Sequence, residues 1–305
     1  MKPLIFTGEA TGKFGTGLSG ALDCEIGLLS VHRYPDDESC PRFITPVAGR
    51  DVIFAWALDH PDHKLLLLYL VARLARELGA RSIGFVIPYL PYLRQQWQRH
   101  EGEGQTSRYV AQLISGCCDW LVTVESPVHE FRYLSEIYGV PTCVVPAAPA
   151  MAKWIAANVQ QPVIFGAGEE SESWIAEIAA ETDCPYLALP NKKSDDASID
   201  VRIPDASFWL GMTPVLVDGI VSTARTMAAA VVQIDIAGMA PPVCVIAHPL
   251  FAGDGYQALQ ASRVARIVSC CTIAHPTNRI DLSDAIGAAI EKILAETRTQ
   301  TSLLV

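Results

Sequence analysis

Residues 65–88 read LLLLYLVARLARELGARSIGFVIP and contain the pattern that decides the fold. Leucine recurs at every fourth position of the first part: Leu66, Leu70, Leu74 and Leu78. This spacing predicts an amphipathic helix, and Gly79 is a typical stop signal after it. The segment Ser82–Ile87 then predicts a strand that is covered on both faces, as in a parallel sheet, and Pro88 ends it. The chain therefore passes from a helix into a buried strand.

The same unit of a helix and then a strand recurs further along the chain. A predicted helix at 110–114 leads into a strand at 120–124, and another at 171–181 leads into a strand at 186–189. Strands that alternate with helices in this way specify an α/β fold with doubly wound, parallel, Rossmann-type sheets.

The chain is also long enough for two domains. Its 305 residues exceed the usual size of one hydrophobic core. The buried strand 85–87 and the residues after it have a weak counterpart at 243–251. We place the boundary in the proline-rich segment 145–149, which predicts domains at 1–146 and 147–305. A final helix at 283–297 is expected to pack back onto the body through its apolar side, which carries Ile286, Ile290, Ile293 and Leu294.

Composition excludes several classes of function. The formal net charge of −10 argues against nucleic-acid binding, which requires clustered Lys and Arg. No uncharged apolar run approaches the roughly 18 residues that span a bilayer, and the amino terminus lacks the apolar region of a signal peptide. Nine cysteines without CxxC spacing suggest neither a disulfide framework nor a zinc ribbon. We therefore expect a cytoplasmic protein without a membrane partner.

One later strand is followed by residues that suit an anion site. Residues 214–227 read PVLVDGIVSTARTM, which predicts a buried strand that ends at Asp218 and a hydroxyl-rich turn that opens a helix. Backbone N–H groups at such a helix start bind phosphate, and an acid at the strand end can accept ribose hydroxyls. The alternative is an ordinary Ser or Thr cap after a structural Asp.

This segment closely resembles the ribose-phosphate loop of phosphoribosyltransferase-type proteins. Over nearly the whole chain, the sequence resembles the ribose-phosphate diphosphokinases, also called phosphoribosyl-pyrophosphate synthetases. The resemblance implies two tandem phosphoribosyltransferase-like domains, the cofactors Mg²⁺ and ATP, and transfer of a diphosphoryl group from ATP to ribose 5-phosphate or a related sugar phosphate. It also implies the residues that bind the sugar phosphate: Asp218, Ser222, Thr223, Ala224, Arg225 and Thr226.

Residues 33–38, RYPDDE, resemble the segment Arg-Phe-x-Asp-Gly-Glu of that family. The resemblance implies that Tyr34 stacks on adenine and that Asp36 and Glu38 meet the base and its neighbours. It further implies a homo-oligomer, a dimer or a hexamer, in which Tyr34 and Asp36 complete the site of a neighbouring subunit. The alternative is a solvated acidic turn.

Residues 87–96, IPYLPYLRQQ, are similar to the family segment Ile-Pro-Tyr-x-x-Tyr-x-Arg-Gln-Asp. The similarity implies that Arg94 and Gln95 hold ATP, with Gln96 in place of the final Asp. Arg99 lies in the stretch that matches the mobile active-site loop, where it could reach a phosphate. The alternative for both arginines is simple surface charge.

Two more segments resemble the metal-binding parts of the family. Residues 123–129, TVESPVH, match a segment in which an Asp and one or two His bind phosphate and magnesium, which implies a metal role for His129. In residues 165–171, Gly168 stands where the family has a metal-binding Asp. Either Glu169 or Glu170 can replace it, and we assign Glu169. A lone His is, however, more often structural.

Other positions depart from the family. Asn191 aligns with the catalytic lysine, which leaves Lys192 as a displaced substitute that we assign as catalytic together with Arg94. Gly219 removes one acceptor for a ribose hydroxyl, and Ala224 crowds the phosphate turn. The leading hypothesis is a diphosphokinase-like enzyme. The alternatives are a catalytically silent homologue with a regulatory role and a phosphoribosyltransferase that acts on a base.

Overall fold

The computed structural model describes residues 2–8, 12–93, 101–125, 134–166, 172–189, 191–193, 199–201, 203 and 206–302. Two compact units make up the chain. The first contains Met1–Val145 and Ser283–Val305, and the second contains Pro146–Leu282. No described helix is long and apolar enough to cross a membrane.

The first unit is built on a parallel sheet of six described strands, in the order β2-β1-β5-β6-β7-β8. These strands are β1 (Leu4–Thr7), β2 (Glu25–Ile26), β5 (Asp51–Ala55), β6 (Ser82–Ile87), β7 (Trp120–Val124) and β8 (Thr142–Val145). Among the described residues, an antiparallel hairpin and four helices accompany this sheet: β3 (Leu29–Arg33) with β4 (Ser39–Phe43), α1 (Gly12–Ala21), α2 (Pro61–Glu77), α3 (Thr106–Ser115) and α8 (Ser283–Ser302). The predicted buried strands 82–87 and 120–124 are confirmed.

Helix α2 is present as predicted, but its buried face differs from the predicted one. Leu66 is 61% exposed and Leu78 is 46% exposed. The core face carries Val71, which the sequence places beside the leucine row, together with Leu65, Leu68, Ala72 and Ala75. A strict four-residue spacing drifts by about 40° per step around a helix of 3.6 residues per turn, so such a leucine row winds away from the sheet. Spacings of three and four residues in alternation keep one face inward.

The second unit repeats the architecture, with the parallel order β10-β9-β13-β14-β15-β16 among its described strands. These are β9 (Pro162–Gly166), β10 (Tyr186–Ala188), β13 (Thr213–Val221), β14 (Val243–Pro249), β15 (Arg266–Cys270) and β16 (Asn278–Ile280). A short antiparallel hairpin and four helices accompany them: β11 (Asn191–Lys193) with β12 (Ile199–Val201), α4 (Ala148–Asn158), α5 (Glu172–Thr182), α6 (Arg225–Ile236) and α7 (Gly255–Ala261).

Helix α8 belongs by its contacts to the first unit, although the sequence-based boundaries put it with the second half of the chain. It packs on α1 and on strands β7 and β8. Its inward residues are Ile286, Ile290 and Ile293, the apolar side that the sequence predicted. Gly287 lets the two helices approach closely, since a Cβ there would lie 3.1 Å from the Cβ of Ala21.

Candidate functional site

Strand β13 carries Asp218 at the point where the strand order of the second sheet reverses. Its pairing with β9 ends at Val217, opposite Gly166, whereas its pairing with β14 continues to Val221, opposite Pro249. Asp218 therefore lies beyond the last residue of β9 that pairs with β13. In open α/β sheets, ligands bind at this switch point, outside the carboxyl ends of the strands.

The predicted end of this strand at Asp218 was wrong. Hydrogen-bonded pairing with β14 extends β13 through Gly219, Ile220 and Val221. The β-branched pair Ile220 and Val221 fits a pleated, half-buried strand, which is the physical reason for the extension. The turn that precedes the helix is thereby shortened to Ser222–Ala224.

Helix α6 begins directly after this turn, at Arg225. Its N-cap residue, Ala224, makes no side-chain capping hydrogen bond. Because the first N–H groups of a helix have no partner within the helix, this end presents amide donors and a partial positive charge. Ser222 and Thr226 are half-buried there, and Thr223 is exposed. The arrangement can bind a phosphate group.

Two substitutions noted in the sequence have clear geometric consequences. Ala224 has φ 57° and ψ 6°, in the left-handed region that favours glycine. A Cβ atom built on Gly219 would meet no other atom within 4 Å, and the φ angle of Gly219 is not positive. Ala224 thus carries backbone strain at the turn, while position 219 has room for a larger side chain.

The loop after β14 supports the turn from one side, which the sequence reasoning missed. The amide of Phe251 donates to the carbonyl oxygen of Val221 at 2.9 Å, and the amide of Ala252 donates to that of Ser222 at 2.9 Å. Phe251 has φ 40°, so these bonds hold a strained backbone. The signal that could have revealed this support is the position of the loop, directly after a buried strand and beside the phosphate turn.

Three aromatic rings hold this loop in place. The ring centroids of Phe251 and Tyr256 lie 5.3 Å apart, and that of His275 lies 4.8 Å from Phe251 and 4.7 Å from Tyr256. Burial lowers the pKa of His275. The amide of Thr277 donates to Nδ1 of His275 at 3.3 Å, which suits a neutral imidazole.

The predicted adenine-binding residues lie at the tip of the β3–β4 hairpin. The amide of Tyr34 donates to the carbonyl oxygen of Glu38 at 2.9 Å, and the amide of Glu38 lies 3.4 Å from Oδ1 of Asp36. All three side chains are exposed, and Tyr34 is exposed by 47%. The hairpin therefore presents an aromatic ring and carboxylates to solvent.

The carboxyl edge of the first sheet contains the start of the predicted ATP segment. The hydroxyl of Tyr92 donates a hydrogen bond to the carboxylate of Asp62 in the first turn of α2, which raises the pKa of Tyr92. Tyr92 has φ 65° and Glu125, just after β7, has φ 35°. Strained backbone of this kind clusters at functional sites. The amide of Glu125 donates to the carbonyl oxygen of Val145 at 3.0 Å.

Several predicted site residues lie outside the described residues. They are Arg94, Gln95, Gln96, Arg99, His129, Gly168 and Glu169. Their assignments stay predictions from the resemblance.

A surface groove of about 450 Å³ in the second unit lies at the opposite edge of the sheet from Asp218. Its lining includes Pro162, Cys184, Leu210 and Met212. Pro162 begins β9 and Met212 precedes β13, so the groove is at the amino ends of these strands. Ligands of open α/β sheets bind at the carboxyl ends, and the groove is therefore not part of the candidate site.

Comparison with known proteins agrees with the geometry. Residues 3–117 match the family model for the N-terminal domain of ribose phosphate pyrophosphokinase. The ribose-phosphate pyrophosphokinase of Methanopyrus kandleri is 27% identical over 284 residues, 92% of this chain and 96% of that protein. That of Sulfolobus acidocaldarius is 27% identical over 294 residues, 95% of this chain and all (100%) of that protein. The chain is therefore similar to ribose-phosphate pyrophosphokinases over nearly its whole length.

The predicted fold is confirmed by similarity to a solved structure. Phosphoribosylpyrophosphate synthetase from Mycobacterium smegmatis superimposes with a TM-score of 0.83, at 18% sequence identity, over 97% of this chain and 100% of that one. The predicted fold class, two tandem phosphoribosyltransferase-like domains with parallel sheets, is therefore correct.

The two remaining predictions from the resemblance concern the catalytic lysine and the metal ligands. Asn191 and Lys192 lie in β11, where Lys192 pairs with Asp200 and Asn191 with Val201 of β12. The short hairpin places both residues in regular structure, which the sequence did not predict. Within the described part of the chain, no cluster of three or more His, Cys, Asp or Glu side chains is arranged to hold a metal ion.

Proposed function

We propose that this protein transfers a diphosphoryl group from ATP to the anomeric hydroxyl of ribose 5-phosphate. The observation that carries the proposal is the position of Asp218 and the Ser222–Ala224 turn at the switch point of the second sheet, with an uncapped helix end behind the turn. An acid for sugar hydroxyls beside amides for a phosphate matches the two ends of a sugar phosphate. The names of the relatives give the same activity.

The proposed reaction is an in-line displacement at the β-phosphorus of ATP. The oxygen of the anomeric hydroxyl forms a bond to that phosphorus, the bond to the oxygen shared with the α-phosphate breaks, and AMP leaves. The hydroxyl proton passes to solvent. Since such a transition state spreads negative charge over phosphate oxygens, catalysis consists mainly of positioning and charge stabilisation.

The sugar phosphate is held by the second unit in this proposal. Asp218 accepts hydrogen bonds from ribose hydroxyls, and the 5-phosphate lies against the amides at the start of α6. The hydroxyls of Ser222, Thr223 and Thr226 lie near these amides in sequence, and they would donate further hydrogen bonds to the 5-phosphate. Lys192 would stabilise charge that develops on the transferred group.

ATP is held by residues of the first unit in this proposal, and Mg²⁺ comes with it. The assigned nucleotide contacts are Tyr34, Asp36, Glu38, Arg94, Gln95 and Arg99. Mg²⁺ usually keeps several waters and binds mainly to substrate phosphates, so it needs few protein ligands. His129 and Glu169 are the proposed protein ligands. When bound, Mg²⁺ neutralises phosphate charge.

We also propose a homo-oligomer in the cytoplasm. Tyr34 at the hairpin tip is exposed, and Leu28 and Ile44, which join the hairpin at its base, are 62% and 54% exposed. A second copy that covered this hairpin would bury these side chains. Tyr34 would then lie at the nucleotide site of that second copy. Sedimentation of the wild-type chain and of Leu28→Glu tests this, and a monomeric wild type would contradict it.

Ligand-dependent melting tests the assignment of the two substrates. Selective binding stabilises the folded state, so Mg-ATP and ribose 5-phosphate are each expected to raise the melting temperature. Arg94→Ala is expected to remove the shift with ATP alone, and Asp218→Asn to reduce the shift with ribose 5-phosphate alone. A protein that responds to neither ligand would contradict the proposal, and one that binds both without turnover would be the silent homologue.

A further inference from the structure

Gly255, the first residue of α7, lies directly against the backbone of the phosphate turn. A Cβ atom there would lie 2.8 Å from the carbonyl oxygen of Ser222, and 2.9 and 3.0 Å from the carbonyl carbon and oxygen of Thr223. Contacts below 3.0 Å essentially do not occur for real Cβ atoms. The atoms in question belong to the backbone, so a side chain at 255 would force the turn or the helix to move.

Backbone conformation does not explain a glycine at this position. Gly255 is not among the glycines with positive φ, and it is buried at the start of a helix. Alanine has a higher helix propensity than glycine. The close approach to Ser222 and Thr223 is thus the physical reason that a side chain is excluded.

The segment around Gly255 is held by hydrogen bonds and side-chain packing, so a side chain added there would displace the turn. Phe251 and Ala252 donate backbone hydrogen bonds to Val221 and Ser222, and the ring of Phe251 packs on Tyr256 and His275. Later in α7, Leu259 is completely buried. Gly255 is buried, whereas Thr223 of the turn is exposed, so the turn is the part that we expect to shift.

We propose that Gly255 is a positioning residue for the phosphate turn, and that it is coupled to Ala224. The proposal rests on the proposed function, because the turn is taken to hold the phosphate of the sugar. The carbonyl of Thr223 leads into the strained Ala224, whose φ of 57° leaves the peptide between them little freedom to adjust. A methyl group added at 255 would press on the carbonyl of the Thr223–Ala224 peptide. The methyl group of Ala224 restricts rotation of the same peptide from its other side.

Calorimetric titration of Gly255→Ala with ribose 5-phosphate tests the proposal. We expect Kd for ribose 5-phosphate to rise about tenfold, since small displacements of positioning groups have effects of this order. Kd for Mg-ATP should stay unchanged. Ala224→Gly in the same chain frees the peptide and should recover most of the lost affinity, which a purely structural role of Gly255 would not predict.

Gly253→Ala is the matched control. Gly253 has φ 63°, and a Cβ there would meet no atom within 4 Å, so alanine strains the same loop without touching the turn. It should cost stability and leave Kd for ribose 5-phosphate unchanged. Equal losses in Gly253→Ala and Gly255→Ala, or no recovery in the double variant, would overturn the proposal.

Hydrogen–deuterium exchange separates this inference from the proposed function. Gly255→Ala should speed exchange of the amides of residues 222–226 and leave the first unit unchanged, whether or not a ligand binds. If the wild type binds no ribose 5-phosphate, the proposed function fails, yet faster exchange at the turn still supports the positioning role. Unchanged exchange there would overturn it.

Discussion

The phenol hydroxyl of Tyr92 donates a hydrogen bond to the carboxylate of Asp62, which joins the loop after β6 to the first turn of α2. Arg94, the proposed ATP contact, follows Tyr92 by two positions. The bond therefore restrains the start of the segment that we propose to bind ATP.

Tyr92→Phe is accordingly expected to weaken ATP binding. A typical hydrogen bond contributes about 1 kcal/mol, so Kd for Mg-ATP should rise by about fivefold in a calorimetric titration. Tyr186→Phe removes an exposed phenol from β10 of the second unit and serves as the control, with no expected change. A Tyr92→Phe protein with wild-type ATP affinity would show that this bond does not position the segment.

Ala224→Gly is expected to be nearly neutral for folding, within about 0.5 kcal/mol. Relief of the left-handed conformation is worth roughly 1–2 kcal/mol, and it is offset by the loss of a buried methyl group and by the flexibility of glycine. Ala230→Gly, fully buried within α6, gains no such relief and should cost about 1.5–2 kcal/mol. Urea unfolding measures both, and similar losses would argue against strain at Ala224.

Gly219→Asp should raise activity if the protein is a weakened ribose-phosphate diphosphokinase. The site has room for the side chain, and a recovered charge-assisted hydrogen bond to ribose is worth roughly 1.5–3 kcal/mol, or about tenfold to hundredfold in AMP release. Adding Ala224→Gly should relax the turn further. Gly219→Asn, of similar size but uncharged, is the control.

If the variant with both Gly219→Asp and Ala224→Gly binds ATP but gains no activity, the displaced lysine in β11 becomes the expected cause. The next change is then Asn191→Lys, which restores the lysine at the position that the family resemblance assigns. Failure of all three changes together, with both ligands still bound, would favour a regulatory role or another sugar phosphate.

His275 is expected to make folding stability depend on pH. Its burial lowers its pKa, so below the ordinary value of about 6.5 the unfolded chain binds more protons than the folded one. Above that pH the imidazole is neutral in both states and its burial costs no stability. As the pH falls from there towards the pKa of the folded state, the free energy of unfolding decreases. Urea midpoints from about pH 7 to about pH 5 should fall less steeply for His275→Gln than for the wild type. Equal slopes would contradict this assignment.

Much of the fold follows from local patterns in the sequence. Buried strands such as 82–87 and 120–124 are continuous apolar runs, and their limits agree with the structure. The face of α2 was misassigned because leucine occupies nearly every position from Leu65 to Leu70, so composition alone does not fix which side is buried. Burial there depends on the sheet beneath, a tertiary property.

The candidate site was only partly predictable for a similar reason. The helix start at Arg225 is a local feature, and the sequence indicates it. The extension of β13 to Val221 depends on pairing with β14, and the packing of Gly255 on the turn joins residues that are distant in sequence. Such long-range contacts leave no periodic signal that a single sequence could display.

The central claim is transfer of a diphosphoryl group to ribose 5-phosphate, and phosphorus NMR of the reaction mixture tests it most directly. The purified chain with Mg-ATP and ribose 5-phosphate should produce AMP and a 5-phosphoribosyl diphosphate in equal amounts, with no AMP when the sugar is omitted. Asp218→Asn should slow this by at least about tenfold, the scale of a lost charge-assisted hydrogen bond. Production of ADP with a sugar bisphosphate, or no product while both ligands bind, would contradict the account.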